Sequence, residues 1–311
     1  MKIIFFGSDD FAAAHLEQLL TVGHEILACV TGPDKPQGRG MKLAVSPIKQ
    51  IALDRNIPCL QPLSLKEKGI VDALRSYGAD IFVVVAYGRL LTQEVLDIPP
   101  ECCVNVHGSL LPRYRGAAPI NWAILNGDKE TGITLQRMAL SLDAGDIIAQ
   151  QKIAIADGEN AAQLRKRMAG LGAELLTKVL DKKPIGPFFP QDESLVTHAP
   201  KLTKEIGKID WKRAARSVMD RVRGLQPWPG AYTFHNGKML KITLVELSTQ
   251  DAGNSVPGQV IAVSKNGFHV ACADQGLLIK EVHPQAGKVM PASSFAAGHK
   301  IIPGTTFLDC L

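Results

Sequence analysis

Two polar side chains able to do chemistry, Asn105 and His107, stand two positions apart at the end of the apolar run CCVNVHG. Side chains alternate between the faces of a β-strand, so this spacing predicts that both point to one face, with Cα atoms about 7 Å apart. An Asn amide donates hydrogen bonds without ionising, and a His can carry a proton near neutral pH. The pair therefore suits a carbonyl group whose oxygen becomes negative during a reaction. The spacing alone leaves open a second interpretation, in which both side chains tie down the following loop.

A carboxylate partner for the histidine is offered by the stretch SLDAGDIIAQ, residues 141–150. Asp143 and Asp146 fall there in a Gly-containing turn before an apolar strand. Turns favour Asp and Gly for backbone reasons, so this stretch taken alone predicts only a turn. A nearby carboxylate also stabilises a protonated histidine, which makes the turn a candidate part of the same site.

The elements that must position these residues follow a repeating pattern. Runs such as KIIFFG, EILACVT and DIFVVVAYG are apolar throughout and alternate with helical stretches, one of which opens on Ser46 and Pro47 as N-cap and first helical residue. The pattern predicts an α/β fold with a Rossmann-like, mostly parallel sheet and helices on both faces. Sites in such sheets lie at the carboxyl ends of the strands, where Asn105 and His107 fall.

The turn after the first strand, GSDDF, argues against a dinucleotide or phosphate site. It lacks the G-x-G-x-x-G fingerprint, which excludes a dehydrogenase of the usual kind. Asp9 and Asp10 would also repel a phosphate from the N-terminus of the helix that follows. Both residues equally suit helix capping.

Composition changes after Lys183, where the Pro-rich stretch PIGPFFPQDE is typical of a linker. One short helical segment and several strand-like runs follow, with Asn-Gly pairs typical of hairpin turns. We expect a catalytic domain over residues 1–186, a linker over 187–208, and a small β-barrel (OB-like) domain over 209–311.

The totals exclude some classes of protein. The 311 residues are 46% hydrophobic and 21% charged, which is an ordinary globular balance. No apolar run is long enough to span a bilayer and no signal peptide is evident, so a cytoplasmic location is expected. The six Cys form no C-x-x-C pair, so no metal site is predicted. A net charge of +5 is too small to prove a nucleic-acid partner.

The stretches NVHGSLLPRYRGAAP, ETGITLQRM and LDAGDII together resemble the 10-formyltetrahydrofolate-dependent formyltransferases, and the similarity runs over essentially the whole chain. The resemblance implies a catalytic triad of Asn105, His107 and Asp143, with 10-formyltetrahydrofolate as co-substrate and no metal. It also implies a monomer without an obligate protein partner or membrane contact. The residues it assigns to folate binding lie in SLLP and in VVVAYGRLL: Ser109, Leu110, Leu111, Pro112, Tyr87, Gly88, Arg89 and Leu90.

The acceptor of the formyl group is indicated by basic residues. The loop GPDKPQGRGMKLAVSPIK resembles the basic loop by which family members that formylate methionyl initiator tRNA reach the acceptor stem. The stretch from Lys201 to Lys241 contains ten basic residues and three acidic ones. A basic β-barrel is a common nucleic-acid-binding module. The resemblance therefore implies formylation of methionyl-tRNA in translation initiation. The expected tRNA contacts are Lys35, Arg39, Lys42, Lys208 and Arg213.

Other acceptors and one other class stay open. A formyltransferase acting on an amino-sugar nucleotide would share the core motifs, and a formyltetrahydrofolate hydrolase domain would use water. A folate- or RNA-binding module without catalysis would not need Asn105, His107 and Asp143 together.

Overall fold

The computed structural model describes residues 1–37 and 42–307. They form two compact units, each assembled from more than one stretch of chain. The first unit consists of Met1–Pro119, Thr131–Ile153 and Arg165–Pro200. The second consists of Ile120–Glu130, Ala154–Leu164 and Lys201–Leu311. The division into residues 1–186, 187–208 and 209–311 stays a prediction.

A seven-stranded sheet forms the centre of the first unit. Its strands are β1 (Lys2–Gly7), β2 (Glu25–Val30), β5 (Cys59–Leu60), β6 (Ile81–Val85), β7 (Cys103–His107), β8 (Glu130–Arg137) and β9 (Ile147–Ala154). The order across the sheet is β5-β2-β1-β6-β7-β8-β9, with parallel pairing up to β7 and antiparallel pairing of β7 with β8. The central strands are buried because both faces are covered, as their unbroken apolar sequences predicted.

Helices connect these strands, and two of them begin at the predicted caps. They are α1 (Asp10–Thr21), α2 (Pro47–Asp54), α3 (Lys68–Ser76), α4 (Gln93–Leu96), α5 (Pro119–Leu125) and α6 (Ala161–Leu180). The Asp9 carboxylate accepts from the backbone N–H groups of Phe11 and Ala12. The Ser46 hydroxyl accepts from the Lys49 N–H, and Pro47 occupies the first turn.

The basic loop contains a short hairpin that its polar sequence did not indicate. Strands β3 (Lys35–Gln37) and β4 (Lys42–Ala44) pair antiparallel on either side of residues 38–41. The two strands are too short to show a period-2 pattern, and Pro36 interrupts one of them.

The second unit carries an antiparallel sheet. Its strands are β10 (Ala231–His235), β11 (Lys238–Leu247), β12 (Val260–Ser264), β13 (Gly267–Ala271), β14 (Gly276–Pro284) and β15 (Met290–Pro291). Helix α7 (Ala215–Gly224) precedes it, and single 3-10 turns lie at Glu193–Leu195, in the first unit, and Glu205–Gly207. The predicted fold class, a mostly parallel α/β sheet followed by a β-rich domain, is confirmed.

The expectation of one helical segment in the C-terminal region was wrong, because a second helix, α8 (Ala292–His299), follows β15. Its Ala292, Phe295 and Ala296 are buried in the core of the second unit. The stretch ASSFAAGH has too few large apolar residues to show a helical period, so its burial could not be foreseen.

Within residues 1–37 and 42–307, none of the helices has both the length and the apolar character needed to cross a membrane.

Helix α1 carries a buried histidine, His15, whose titration should make the stability of the first unit depend on pH. His15 is fully buried, and its Nε2 lies beside Gly172 with no hydrogen-bond partner among the described residues. Burial lowers the pKa of this imidazole from 6.5 to about 4. The unfolded chain therefore binds a proton that the folded chain does not between these values, so the free energy of unfolding falls as the pH drops from 6.5 towards 4.

We expect His15→Met to remove this part of the pH dependence, because Met has similar bulk and does not titrate. Urea unfolding followed by circular dichroism at pH 7.5 and pH 5.0 measures the difference. The wild type should lose more stability between the two values than the variant. Equal losses in both proteins would contradict the assignment to His15.

Candidate active site

Strand β7 carries Asn105 and His107 to the carboxyl end of the sheet. Asn105 lies opposite Val84 of β6 and Gln136 of β8, and His107 lies opposite Thr134 of β8. Both side chains border one cleft of about 570 Å³, as the alternation along a strand predicted. His107 is buried, with 5% of its surface exposed, and Asn105 is half-buried.

The imidazole of His107 is held between two acceptors. Its Nε2 lies 2.9 Å from the backbone carbonyl oxygen of Tyr114, and its Nδ1 lies 3.5 Å from Oδ1 of Asp143. A carbonyl oxygen can only accept, so Nε2 carries a hydrogen. The doubly protonated ring satisfies both contacts, whereas the neutral ring would turn a lone pair towards the carboxylate. The geometry therefore places one ring nitrogen of His107 against a carbonyl oxygen and the other against a carboxylate.

Asp143 is fixed by donors on both of its oxygens. Oδ2 accepts from the Gly116 N–H at 2.9 Å, and Oδ1 accepts from the amide of buried Gln136 at 3.2 Å. The same Gln136 accepts from the Gly145 N–H through its Oε1 at 3.2 Å. These bonds stabilise the charged carboxylate that faces His107.

Three of the seven residues other than Gly that have positive φ values in the described part of the chain lie around the cleft. Ala86, Tyr114 and Asp143 have φ values of 46°, 64° and 52°, a region that residues with a side chain rarely adopt. Ala86 and Asp143 border the cleft, and the Tyr114 carbonyl binds His107. Such strain persists where surrounding contacts hold the backbone, and it is common at functional sites.

The Asn105 amide is available to a ligand. The amide borders the cleft beside His107. Within the part of the chain that the structure describes, the Asn105 side chain makes no hydrogen bond to protein. A half-buried amide without a partner is a ready donor for a bound carbonyl oxygen.

The predicted folate residues separate into two groups. Tyr87, Gly88, Arg89 and Leu90 border the cleft together with Asn105, His107 and Asp143: the structure brings these seven predicted residues together. Burial raises the pKa of the Tyr87 phenol, which keeps it neutral.

The SLLP segment is placed elsewhere among the described residues. The fully buried Ser109 donates its hydroxyl to the Arg113 carbonyl, and the Leu111 N–H donates to Thr134. Leu110 and Pro112 border a separate groove of about 430 Å³. Contact of this segment with folate stays a prediction.

A second cleft, of about 650 Å³, adjoins the first. The two share Asp9 and the segment Ala86–Arg89 as a common wall. The far side of the second cleft is formed by Gly32 and Pro33, which precede the β3–β4 hairpin, and by Ala44–Pro47, which follow it. The hairpin therefore emerges from the rim of a cleft that adjoins the catalytic residues.

The predicted tRNA contacts fall on both units. Lys35 and Lys42 belong to the hairpin strands, and Arg39 lies outside the described residues. Lys208 and Arg213 are exposed on the second unit, where Arg213 forms an ion pair with Asp210 at 3.4 Å. Their contacts with RNA stay predictions.

Two contributors to the site were not identified from the sequence. Gln136 is recognisable only through its antiparallel register with Asn105, and the Gly116 N–H only through its distance to Asp143. Over residues 1–37 and 42–307 there is no group of three or more His, Cys, Asp or Glu side chains that could hold a metal ion.

The cleft at the strand ends, with its Asn, His and carboxylate, is typical of an α/β enzyme, and similarity to known proteins identifies the family. Residues 1–180 match the family described as formyl transferase, and residues 201–300 match the formyl transferase C-terminal domain. The chain belongs to this formyltransferase family.

Two relatives are similar along nearly their whole length. The methionyl-tRNA formyltransferase of Caldanaerobacter subterraneus subsp. tengcongensis is 44% identical, covering 98% of this chain and 99% of the relative. The methionyl-tRNA formyltransferase of Moorella thermoacetica is 43% identical over 100% of both chains.

Solved structures share the fold at lower identity. WlaRD, a sugar 3N-formyl transferase, superposes with a TM-score of 0.68 at 20% identity, covering 90% of this chain and 97% of its own. HypX from Aquifex aeolicus in complex with tetrahydrofolic acid gives a TM-score of 0.60 at 18% identity and covers 95% of this chain. This chain spans 47% of the length of HypX.

Proposed function

We infer that this protein transfers the formyl group of 10-formyltetrahydrofolate to the α-amino group of methionyl initiator tRNA. One observation carries the inference. A His–Asp ion pair and a free Asn amide border one cleft, in a chain that is 44% identical over nearly its full length to a methionyl-tRNA formyltransferase. Formylation of this tRNA belongs to translation initiation, and the proposal includes a cytoplasmic location for the protein.

The chemistry is an attack of a neutral amine on the formyl carbon. A C–N bond forms to the amine, the carbonyl oxygen becomes an oxyanion, and the bond from carbon to N10 of the folate then breaks. The amine loses one proton and N10 gains one, so the transfer is balanced without a further reactant. The barrier depends on how well the oxyanion is stabilised.

Each of the three side chains has a role in this step. The Asn105 amide donates to the oxyanion, and the imidazolium of His107 stabilises its charge at close range. Asp143 holds that imidazolium in place and keeps it charged, and it helps to pass the proton from the amine to N10.

Folate occupies the cleft of about 570 Å³ in this account. The wall formed by Tyr87, Gly88, Arg89 and Leu90 meets the catalytic residues there. On the opposite side Met138, Ala139 and Leu142 provide apolar surface for a flat ring.

The acceptor end of the tRNA occupies the adjoining cleft. This cleft shares a wall with the folate site, so an amine bound in it can reach the formyl carbon. The hairpin emerges from its rim, and the basic composition of the hairpin sequence suits the phosphates that precede the terminal adenosine.

Val45→Trp tests this placement, since Val45 borders the adjoining cleft and is 42% exposed. The indole is expected to fill the cleft and raise the KM for methionyl-tRNA at least about tenfold, which corresponds to 1.4 kcal/mol. The dissociation constant of folate should not change. Val22→Trp is the matched control, since Val22 is 44% exposed and lies just past the C-terminus of α1, outside both clefts. An unchanged KM for methionyl-tRNA in Val45→Trp would show that the acceptor does not bind in this cleft.

A comparison of three acceptors tests the proposed function. The wild-type protein is given 10-formyltetrahydrofolate labelled in the formyl carbon, with methionyl initiator tRNA, an amino-sugar nucleotide, or water alone. We expect the label on the methionyl-tRNA. Label on the sugar nucleotide would instead support a sugar formyltransferase, and release as formate in every mixture would support a hydrolase.

A further inference from the structure

The segment from Phe189 to Ala199, called the strap below, lies between the two stretches that match the formyltransferase descriptions. It packs within the first unit rather than running free. Phe189 exchanges both backbone hydrogen bonds with Ile147, at 2.7 and 2.9 Å. Arg115 donates its N–H to Thr197 at 2.9 Å and accepts from the Ala199 N–H at 2.8 Å. The strap therefore connects the strand after the Asp143 turn to the loop after β7.

Gln191 links the strap to the Asp143 turn. Its side-chain amide donates to the carbonyl oxygens of Asp143 at 2.8 Å and Gly145 at 2.7 Å. Its Oε1 accepts from Nε and Nη2 of Arg115, at 3.0 and 2.8 Å. One side chain thus holds the backbone on both sides of Ala144 and is itself held by a cation.

Arg115 is fixed in turn. The residue is 8% exposed, and its guanidinium forms two bonds to the carboxylate of Glu193, at 2.7 and 3.2 Å. A two-bond contact of this kind fixes the plane of the guanidinium as well as its position. Glu193, Arg115 and Gln191 form a continuous chain of charge-assisted hydrogen bonds that ends on the turn.

Asp143 requires such support because its backbone is strained. A φ of 52° is uncommon for a residue with a side chain, so contacts must hold the turn in this conformation. A relaxed turn would alter the 3.5 Å separation between the Asp143 carboxylate and Nδ1 of His107.

We propose that Gln191, held by Arg115 and Glu193, is a positioning residue that sets the placement of Asp143 against His107. The strap is then part of the catalytic machinery, although it lies outside both stretches that define the family. This inference rests on the proposed function, because it assumes that the His107–Asp143 pair serves formyl transfer.

Gln191→Ala is expected to lower kcat between about 10- and 100-fold, the range for a small displacement of a catalytic group. The dissociation constant of folate should stay within about twofold, because Gln191 does not border either cleft. The matched control is Gln93→Ala, which removes an exposed side chain whose one hydrogen bond within residues 1–37 and 42–307 goes to Asp97. An unchanged kcat in Gln191→Ala, or a parallel loss of kcat, folate affinity and thermal stability, would overturn the proposal.

Glu193→Gln provides a milder test on a side chain that is 73% exposed, so the variant should fold if Gln191→Ala does not. It weakens the hold on Arg115 without touching Gln191. We expect a smaller fall in kcat with folate affinity again unchanged. If kcat in Glu193→Gln equals that of the wild type, the Glu193 carboxylate has no role in positioning Gln191, and the proposal is overturned.

A double-mutant cycle distinguishes two explanations for a low rate in Gln191→Ala: a displaced Asp143, or a general loss of stability. If Gln191 acts through Asp143, then adding Gln191→Ala to Asp143→Asn should lower the single-turnover rate by less than about twofold. A full multiplicative loss would overturn the proposal. Failure of the wild type to formylate methionyl-tRNA would instead refute the proposed function, so the two failures are distinguishable.

Discussion

Asp143→Asn is expected to lower kcat for formyl transfer by about 10³-fold, while the protein folds and binds folate as before. Asparagine keeps the size of the side chain and can still accept from the Gly116 N–H through its oxygen. It removes the negative charge that faces Nδ1 of His107 at 3.5 Å. The imidazolium then loses its counter-ion, and the developing oxyanion loses the positive charge that stabilises it.

Two quantities are measured for Asp143→Asn and the wild type: the rate of formyl transfer and the affinity for folate. Single-turnover transfer of labelled formyl gives the rate, and isothermal titration with folate gives the affinity. The matched control is Asp146→Asn, which makes the same change in the same turn at a carboxylate that does not border the cleft. A rate for Asp143→Asn within tenfold of the wild type would refute the catalytic assignment.

Asp220→Asn is expected to destabilise the second unit by about 3–5 kcal/mol. Asp220 and Arg223 lie three residues apart on α7, with side chains only 4% and 6% exposed, and Nε of Arg223 lies 2.8 Å from Oδ1 of Asp220. Nε of Arg216 lies 3.4 Å from the same oxygen. Neutralising Asp220 leaves the Arg223 guanidinium buried without its counter-charge, although the carbonyl of Glu159 still accepts from it.

Urea unfolding followed by tryptophan fluorescence measures this change, because Trp122, Trp211 and Trp228 all belong to the second unit. Asp210→Asn is the control. Asp210 and Arg213 have the same spacing in the same unit, but their side chains are 52% and 67% exposed. An exposed pair of this kind contributes less than about 1 kcal/mol. If both substitutions lower the free energy of unfolding equally, burial of the Asp220–Arg223 pair does not determine its contribution to stability.

The placement of Asn105 and His107 could be predicted from sequence because it depends on a local rule. Side chains two apart on a strand share a face, and a buried parallel strand ends at the site edge of its sheet. The cap residues Asp9, Ser46 and Pro47 were predictable for the same reason, since capping involves neighbours within one turn.

The support of Asp143 could not be predicted, because it depends on contacts between distant parts of the chain. Gln191 lies 48 residues from Asp143 and 76 from Arg115, and no local pattern relates them. A Pro-rich stretch is typical of a linker, yet the strap, which begins within that stretch, pairs with β9 and with the loop after β7. Composition shows where a chain is irregular, but it does not show what that irregular chain contacts.

The residues that the family resemblance assigns to folate border two different surfaces. Tyr87 and Leu90 border the cleft that contains His107, whereas Leu110 and Pro112 border another groove. The Ser109 hydroxyl donates to the carbonyl of Arg113, and the Leu111 N–H donates to the hydroxyl of Thr134 on β8. A shared motif identifies residues that the fold needs as well as residues that touch a ligand.

A crystal structure with bound 5-formyltetrahydrofolate would show whether Asn105, His107 and Asp143 surround the reacting carbon. We expect N10 to lie in the cleft of about 570 Å³. A formyl group built on N10 should bring its oxygen within about 3.2 Å of the Asn105 amide nitrogen. A folate whose N10 lies in the groove beside Leu110 and Pro112, out of reach of Asn105 and His107, would contradict the account.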